Sequence, residues 1–197
     1  VISQRTLAGS LRYPARPAIR KPPILIHISQ AQAVGLPEIE TLLDAGFGPA
    51  RHNRTAYRLR DAAAPDFALS FIARDAETGA LIGSVQCWPL QLRALNNVIV
   101  PLTLLGPVVT AAAYQGKGIA TSLMNASLAS IDAANCPPAL LIGDASFYGR
   151  FGFSADATAG WIMPGPVDRE RLLLRGIADA LPALGWVEPS AAIRRVA

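Results

Sequence analysis

Two cysteines, two histidines and two lysines are all that the 197 residues supply of those types. Cys87 and Cys136 stand far apart in apolar surroundings and outside any CxxC pattern. With only His27 and His52 beside them they lack the ligand spacing of a zinc site, so no metal is expected. Free buried thiols in a reducing cytoplasm fit this usage better than a bridge. Long apolar runs are missing too. Stretches such as Ile24 to Ile26 fall far short of the roughly 18 residues of a membrane-spanning helix, and the absence of a signal-peptide apolar region of about 7–15 residues argues against secretion. Charged side chains make up only 16% against 51% hydrophobic ones, which excludes a disordered chain and supplies enough apolar material for one proper core.

Acidic residues are absent from residues 1–23, which carry Arg5, Arg12, Arg16, Arg20 and Lys21. The remaining 174 residues hold 13 basic and 14 acidic side chains, so the formal charge of +4 belongs to this first segment and the rest is close to neutral. Pro14, Pro17, Pro22 and Pro23 spoil an amphipathic helix there, and residues 1–23 are read as a solvated basic extension ahead of a single domain at 24–197. Neither a nucleic-acid nor a membrane partner is expected of that domain.

Residues 24–28 read as a strand rich in β-branched side chains. A helix follows, with Pro37 in its first turn, Glu38 and Glu40 near its positive end, and Ile39, Leu42 and Leu43 on one face, until Gly46 and Gly48 stop it. The arginine-bearing segment 49–66 reads as a loop with a short helix. Strands are predicted at 67–73 and 80–88, joined by turn residues 75–79 into a hairpin, and at 97–109, which completes an antiparallel meander. Gly106-Pro107 removes a ladder donor inside the last of these and predicts a bulge or a splayed end. Residues 118–134 form the clearest helix, with Ile119, Leu123, Leu128 and Ile131 on one face and Cys136-Pro137-Pro138 beyond its end. The apolar strand 139–142 then makes a right-handed βαβ unit. Residues 161–163 and 172–174 read as further strands.

Gln115, Gly116, Lys117, Gly118, Ile119 and Ala120 join a strand end to that helix. Glycines let backbone approach an anion closely, and the first N–H groups of a helix point at the same place, so a phosphate is the natural ligand. Lys117 is followed by Gly118 where a P-loop needs Ser or Thr. A dinucleotide fingerprint meets Thr121 at its third glycine and has no acid near the expected distance.

The pattern Gln-x-x-Gly-x-Ala at Gln115 to Ala120 resembles the acetyl-CoA pyrophosphate loop of the GNAT superfamily of N-acetyltransferases. The run Leu105 to Tyr114 looks like that family's fourth strand and its link to the loop. Phe147-Tyr148-Gly149-Arg150-Phe151-Gly152-Phe153 is similar to its Tyr-x-x-x-Gly-Phe signature. The resemblance spans residues 24 to 165 or so, and the Asp144-to-Tyr148 link with residues 161–166 is similar to small bacterial members. It implies a mixed α/β fold, a mostly antiparallel central sheet whose fourth and fifth strands are parallel and splayed. It also implies acetyl-CoA as donor, a small-molecule or peptide primary amine as acceptor, and a monomer or homodimer. By position, Val108, Val109 and Thr110 would meet the pantetheine amides and Gln115 to Ala120 the pyrophosphate, while Tyr148 would be the general acid near the CoA sulfur. A noncatalytic acyl-CoA sensor is the alternative.

Acetyl transfer needs a neutral amine and a proton for the leaving thiolate. Tyr148, a phenol protonated at neutral pH, can supply the second. No Asp or Glu occurs between Glu77 and Asp132, so the glutamate that many family members place on the central strands is missing. Asp144, placed either to act through water or to cap the next helix, His52 in the acceptor-side loop, and water itself are the open alternatives for the base. Arg51, Arg54, Arg58 and Arg60 form either a solvated face or a set that selects an anionic acceptor.

If the positive charge lies in the extension alone, duplex DNA binding is negligible at physiological salt. An electrophoretic shift titration of the full chain and of the chain lacking residues 1–23 checks this, and tight binding that survives the deletion would relocate the basic surface.

Overall fold

The computed structural model of the chain describes residues 25–60, 63–176 and 181–190, and the extension read at 1–23 lies outside them. In chain order the elements are β1 (Ile26–Gln30), α1 (Leu36–Phe47), α2 (Thr55–Arg58), β2 (Phe71–Asp75), β3 (Leu81–Ala94), β4 (Ile99–Thr110), α3 (Ile119–Ala133), β5 (Ala139–Ile142), α4 (Ala145–Tyr148), β6 (Gly160–Ile162), β7 (Leu172–Arg175) and β8 (Leu184–Pro189). The sheet runs β1-β2-β3-β4-β5-β7, with β8 pairing both β3 and β6. Among these pairs only β4/β5 and β6/β8 are parallel. The mixed α/β class and the parallel pair at the fourth and fifth strands agree with the sequence reading.

The strand expected to end at Trp88 continues to Ala94. Its first half pairs with β2 and its second half with β8, and Pro89 stands in the gap between the two partners, where a missing donor does least harm. At that gap the Cys87 N–H donates to Ser70 Oγ at 2.9 Å and its carbonyl accepts from the Asp66 N–H at 2.7 Å, so the backbone stays satisfied. β2 begins later than the expected residue 67. Asp66 Oδ1 accepts from the Ala68 N–H, and the Ser70 hydroxyl donates to the Asp66 carbonyl, so side-chain bonds hold this stretch in a turn. β1 and β4 are displaced by one or two residues from their expected limits, and β8 was not foreseen.

The apolar face of α3 behaves as its periodicity requires. Ile119, Leu123, Met124, Leu128 and Ile131 are buried against Val85, Cys87, Leu105 and Leu141 on one side of the sheet. On the other side α1 lays Ile39, Leu42 and Leu43 over Val109, and a separate cluster gathers Leu90, Leu92, Leu102, Leu104, Leu140 and Trp161. Among the described residues the two cysteines form no disulfide. Burial pushes the Cys87 thiol up to about 12, so it stays protonated, whereas Cys136 is only half-buried, against the expectation of two buried thiols. Among the described residues no helix is long and apolar enough to cross a membrane, and no three metal-ligating side chains gather.

Candidate active site

β4 keeps β3 along its length but loses β5 early. The antiparallel pairing with β3 runs on to Thr110, whereas the parallel pairing with β5 comprises Thr103 with Ala139 and Leu104 with Leu140 only. Two features drive the strands apart. Gly106 and Pro107 together face the single residue Gln86 of β3, a bulge that bends β4 just past the last shared pair. β5, on its other edge, is held by β7 from Ala139 to Ile142. The β5-facing edge of β4 beyond Leu104 is therefore left without a ladder partner.

A cavity of about 670 Å³ opens at this fork. One wall is residues 104–108 with Ile142, Gly143, Asp144 and Tyr148, and the other is Phe47, Arg54, Tyr57, Arg60, Val167 and Arg171. Of the cofactor residues named from sequence, Val108 lines the cavity. Val109 is buried under α1, Thr110 Oγ1 is buried without a hydrogen-bond partner among the described residues, and Gln115 to Ala120 lie beyond the cavity lining, at the far end of β4 and the head of α3.

That loop has the geometry of an anion cradle. Gly116 and Gly118 have φ of 74° and 80°, a left-handed conformation that only glycine adopts at low cost, and Gly118 is the residue that opens α3. Among the described residues, none of the N–H groups from Gly116 to Thr121 has a backbone acceptor; the first such bond at this end is from Ser122 to the Gly118 carbonyl. The Ile119 side chain is buried in the core, which leaves only its backbone to the loop. Lys117 folds back, donating from Nζ to the Ala113 carbonyl at 2.8 Å, with its ammonium 4.8 Å from the Tyr114 ring.

Tyr148 closes α4 with its ring edge-on to Phe147 at 4.9 Å and laid against Gly143, where any Cβ would stand 2.2 Å from the ring. Its hydroxyl has no hydrogen-bond partner among the described residues, unlike that of a core tyrosine. Burial, with the Asp144 charge adding to it, pushes the phenol above its ordinary range. Asp144 caps α4 only through its backbone carbonyl, which accepts from Phe147 and Tyr148; its carboxylate instead faces Arg171 Nε at 3.2 Å, so the side-chain capping reading does not hold. His52 is exposed and edge-on to Tyr57 at 4.9 Å, away from the cavity lining.

The four arginines of the acceptor-side segment separate into different roles: Arg54 and Arg58 are exposed, whereas Arg51 is buried and Arg60 half-buried. Arg51 is 1% exposed, with Nη2 on Glu40 at 2.5 Å and Nε on Asp44 at 2.7 Å, and it also donates to the Tyr57 hydroxyl. Burial opposes its charge, but the hydrogen bonds to Asp44, Tyr57 and Glu40 outweigh this and hold it charged. Arg58 ties α2 to the Pro164 carbonyl at 2.9 Å, and Thr55 Oγ1 does the same at Pro166 at 2.6 Å, so the Pro-Gly loop becomes part of the cavity wall. Arg54 reaches over the Phe47 ring, and Arg60 over the rings of Tyr57 and Trp88. Tyr57, Phe47 and Arg171 were not singled out from the sequence. Nothing in local pattern marks residues that meet only when α2 and the 164–168 loop close on the sheet.

A sheet forked between parallel strands, with a glycine turn at the head of the intervening helix, matches the GNAT fold. The family description "Acetyltransferase (GNAT) domain" matches residues 27–155, and the chain belongs to that family. No curated protein matches it significantly in sequence. Among solved structures, the GNAT family N-acetyltransferase YhbS from Escherichia coli in complex with CoA superposes with a TM-score of 0.67 at 23% identity, covering 87% of this chain and 93% of that one. A GNAT family acetyltransferase from Brucella melitensis in complex with acetyl-CoA gives 0.55 at 25%, covering 79% and 98%. Arabidopsis thaliana Naa50 in complex with the bisubstrate analogue CoA-Ac-MVNAL gives 0.50 at 17%, covering 77% and 99%.

Replacing Arg51 by Met removes the partner of two carboxylates from a buried position. Since Glu40 and Asp44 are 39% and 49% exposed and can rehydrate, the cost falls at the low end of the buried-pair range, about 3 kcal/mol. A urea titration should show this, with Glu40→Gln costing less than about 1 kcal/mol because Asp44 remains.

Proposed function

We propose that the chain is an acetyl-CoA-dependent N-acetyltransferase whose donor lies along the fork between β4 and β5. The observation that carries the reading is a pair of unpaired backbone stretches at the two ends of one strand-to-helix connection, the β5-facing edge of β4 and the N–H groups of Gly116 to Thr121. An extended amide-bearing arm can pair with the first as an added strand, and a pyrophosphate fits the second. The complexes of the two bacterial relatives with CoA and acetyl-CoA, and the peptide-bearing analogue on Naa50, support the same donor and an amine acceptor of small-molecule or peptide type.

In this reading the amine nitrogen attacks the thioester carbonyl, a C–N bond forms, and the C–S bond breaks as the tetrahedral intermediate collapses. The departing thiolate takes its proton from the Tyr148 hydroxyl, which is unshared with any described residue. Asp144, on the same wall as Tyr148 and facing Arg171 across the cavity, is placed to receive the amine proton through water, and holding the reacting groups close together in the cavity supplies the rest. The raised pKa of Tyr148 keeps the acid form present throughout neutral and mildly alkaline pH, so kcat should show no alkaline fall from this group below about pH 10.

Tyr148→Phe should lower kcat about a hundredfold, measured by thiol release over a panel of amines, and leave the calorimetric affinity for acetyl-CoA unchanged. A noncatalytic acyl-CoA sensor would have no turnover to lose. Gly118→Val should weaken acetyl-CoA binding more than tenfold, about 1.4 kcal/mol. A Cβ at Gly118 meets no atom within 4 Å, so the apo protein should still fold, with its melting temperature lowered by the strain of a left-handed β-branched residue. Unchanged affinity would remove the loop from the donor site.

A further inference from the structure

Arg60 differs from the other buried or half-buried arginines in having no acidic partner. Arg51, Arg74, Arg93 and Arg175 each meet a carboxylate within salt-bridge distance, and among the described residues Arg60 does not. Among the described residues its hydrogen bonding is confined to the Tyr57 hydroxyl and a long contact from Nη1 to Gln86 Oε1 at 3.4 Å, although a guanidinium carries five N–H donors. The group is stacked 3.7 Å from the Tyr57 ring centroid and 4.8 Å from that of Trp88, and it lines the cavity. Burial lowers its pKa, and Tyr57 and Glu40 offset that only in part.

The stacking is not a loose arrangement. Glu40 and Asp44 hold Arg51, Arg51 holds the Tyr57 hydroxyl, and the Tyr57 ring then fixes the plane of the Arg60 fork. A planar, weakly hydrated fork held in place by aromatic faces, with its donors unspent, is suited to bidentate capture of a carboxylate. The acids of the cavity do not pair with Arg60: Asp144 is engaged by Arg171, and Asp168 Oδ1 accepts from the Glu170 N–H.

Resting on the acetyltransferase reading, we propose that Arg60 binds a carboxylate of the acceptor, so that the acceptor class is a small amine that also carries a carboxylate, of amino-acid type. Its size follows from the cavity, whose roughly 670 Å³ must also admit the acetyl end of the donor. Polyamines and peptide amino termini without a nearby acid do not meet the fork.

The test measures kcat and KM for amino acids, each paired with its carboxamide, together with a polyamine and a neutral peptide, on the full chain and on Arg60→Met and Arg60→Lys. The amide also changes the basicity of the amine, but that change is the same for each protein, so the acid-to-amide ratio isolates the fork. The expected result is a preference of tenfold or more for the acid in the parent, expressed in KM. Arg60→Met should abolish that preference, the acid losing at least tenfold more than the amide, and Arg60→Lys should retain part of it. A parent that prefers the polyamine or the peptide overturns the proposal. So does an Arg60→Met protein that loses acid and amide activity equally, or an Arg60→Lys protein that behaves as the parent. Calorimetry with acetyl-CoA separates the two levels: binding without transfer to any acceptor overturns the acceptor proposal, and no binding overturns the donor reading on which it rests.

Discussion

The separation of two parallel strands governs this molecule. β4 cannot follow β5 beyond Leu104, because the bulge at Gly106-Pro107 turns it while β7 holds β5 on its own course. A buried backbone edge without partners is costly, so such a fork persists only where solvent or a ligand supplies the missing hydrogen bonds. The cavity, the approach to the α3 loop and the place of Tyr148 all follow from it. If β4 and β5 stayed paired to their ends there would be a sheet of the same class and no site.

The opposite wall is built by charge rather than by a strand. α1 has an ordinary apolar face, but its outward acids Glu40 and Asp44 reach a guanidinium from the next turn of chain and fix α2 through the Tyr57 hydroxyl. Thr55 and Arg58 carry that order onward to the Pro164–Pro166 carbonyls. Segments 49–60 and 164–168, both irregular and far apart in sequence, thereby become one surface facing the fork. Wall and fork depend on each other, since the wall rests on the sheet at Trp88 and the fork becomes a cavity only when that wall faces it.

The elements whose geometry is local were legible. The face of α3, the apolar run of β5, the hairpin at residues 75–79 and the glycine turn all depend on spacing within one window, and each stands where its pattern put it. Errors fell where a side chain outside the window intervened: Asp66 and Ser70 delay β2, and the gap between β2 and β8 lets β3 run through Pro89. β8 escaped notice because a short strand with Gly185 and Pro189 within it carries little propensity of its own, and its pairing with β3 and β6 is set only by the fold.

By itself the sequence determined the family, the order of strands and helices around the glycine turn, and the presence of Tyr148 after β5, because these reside in short motifs and in periodicity. The tertiary structure decided which of four neighbouring arginines is neutralised, which ties down a loop and which faces the cavity. It also decided that Asp144 meets Arg171 rather than its own helix. The reason is physical: burial and pairing of a charge depend on what the rest of the chain brings within a few ångströms, and residues 40, 44, 57, 88 and 171 are neighbours of these groups only after folding.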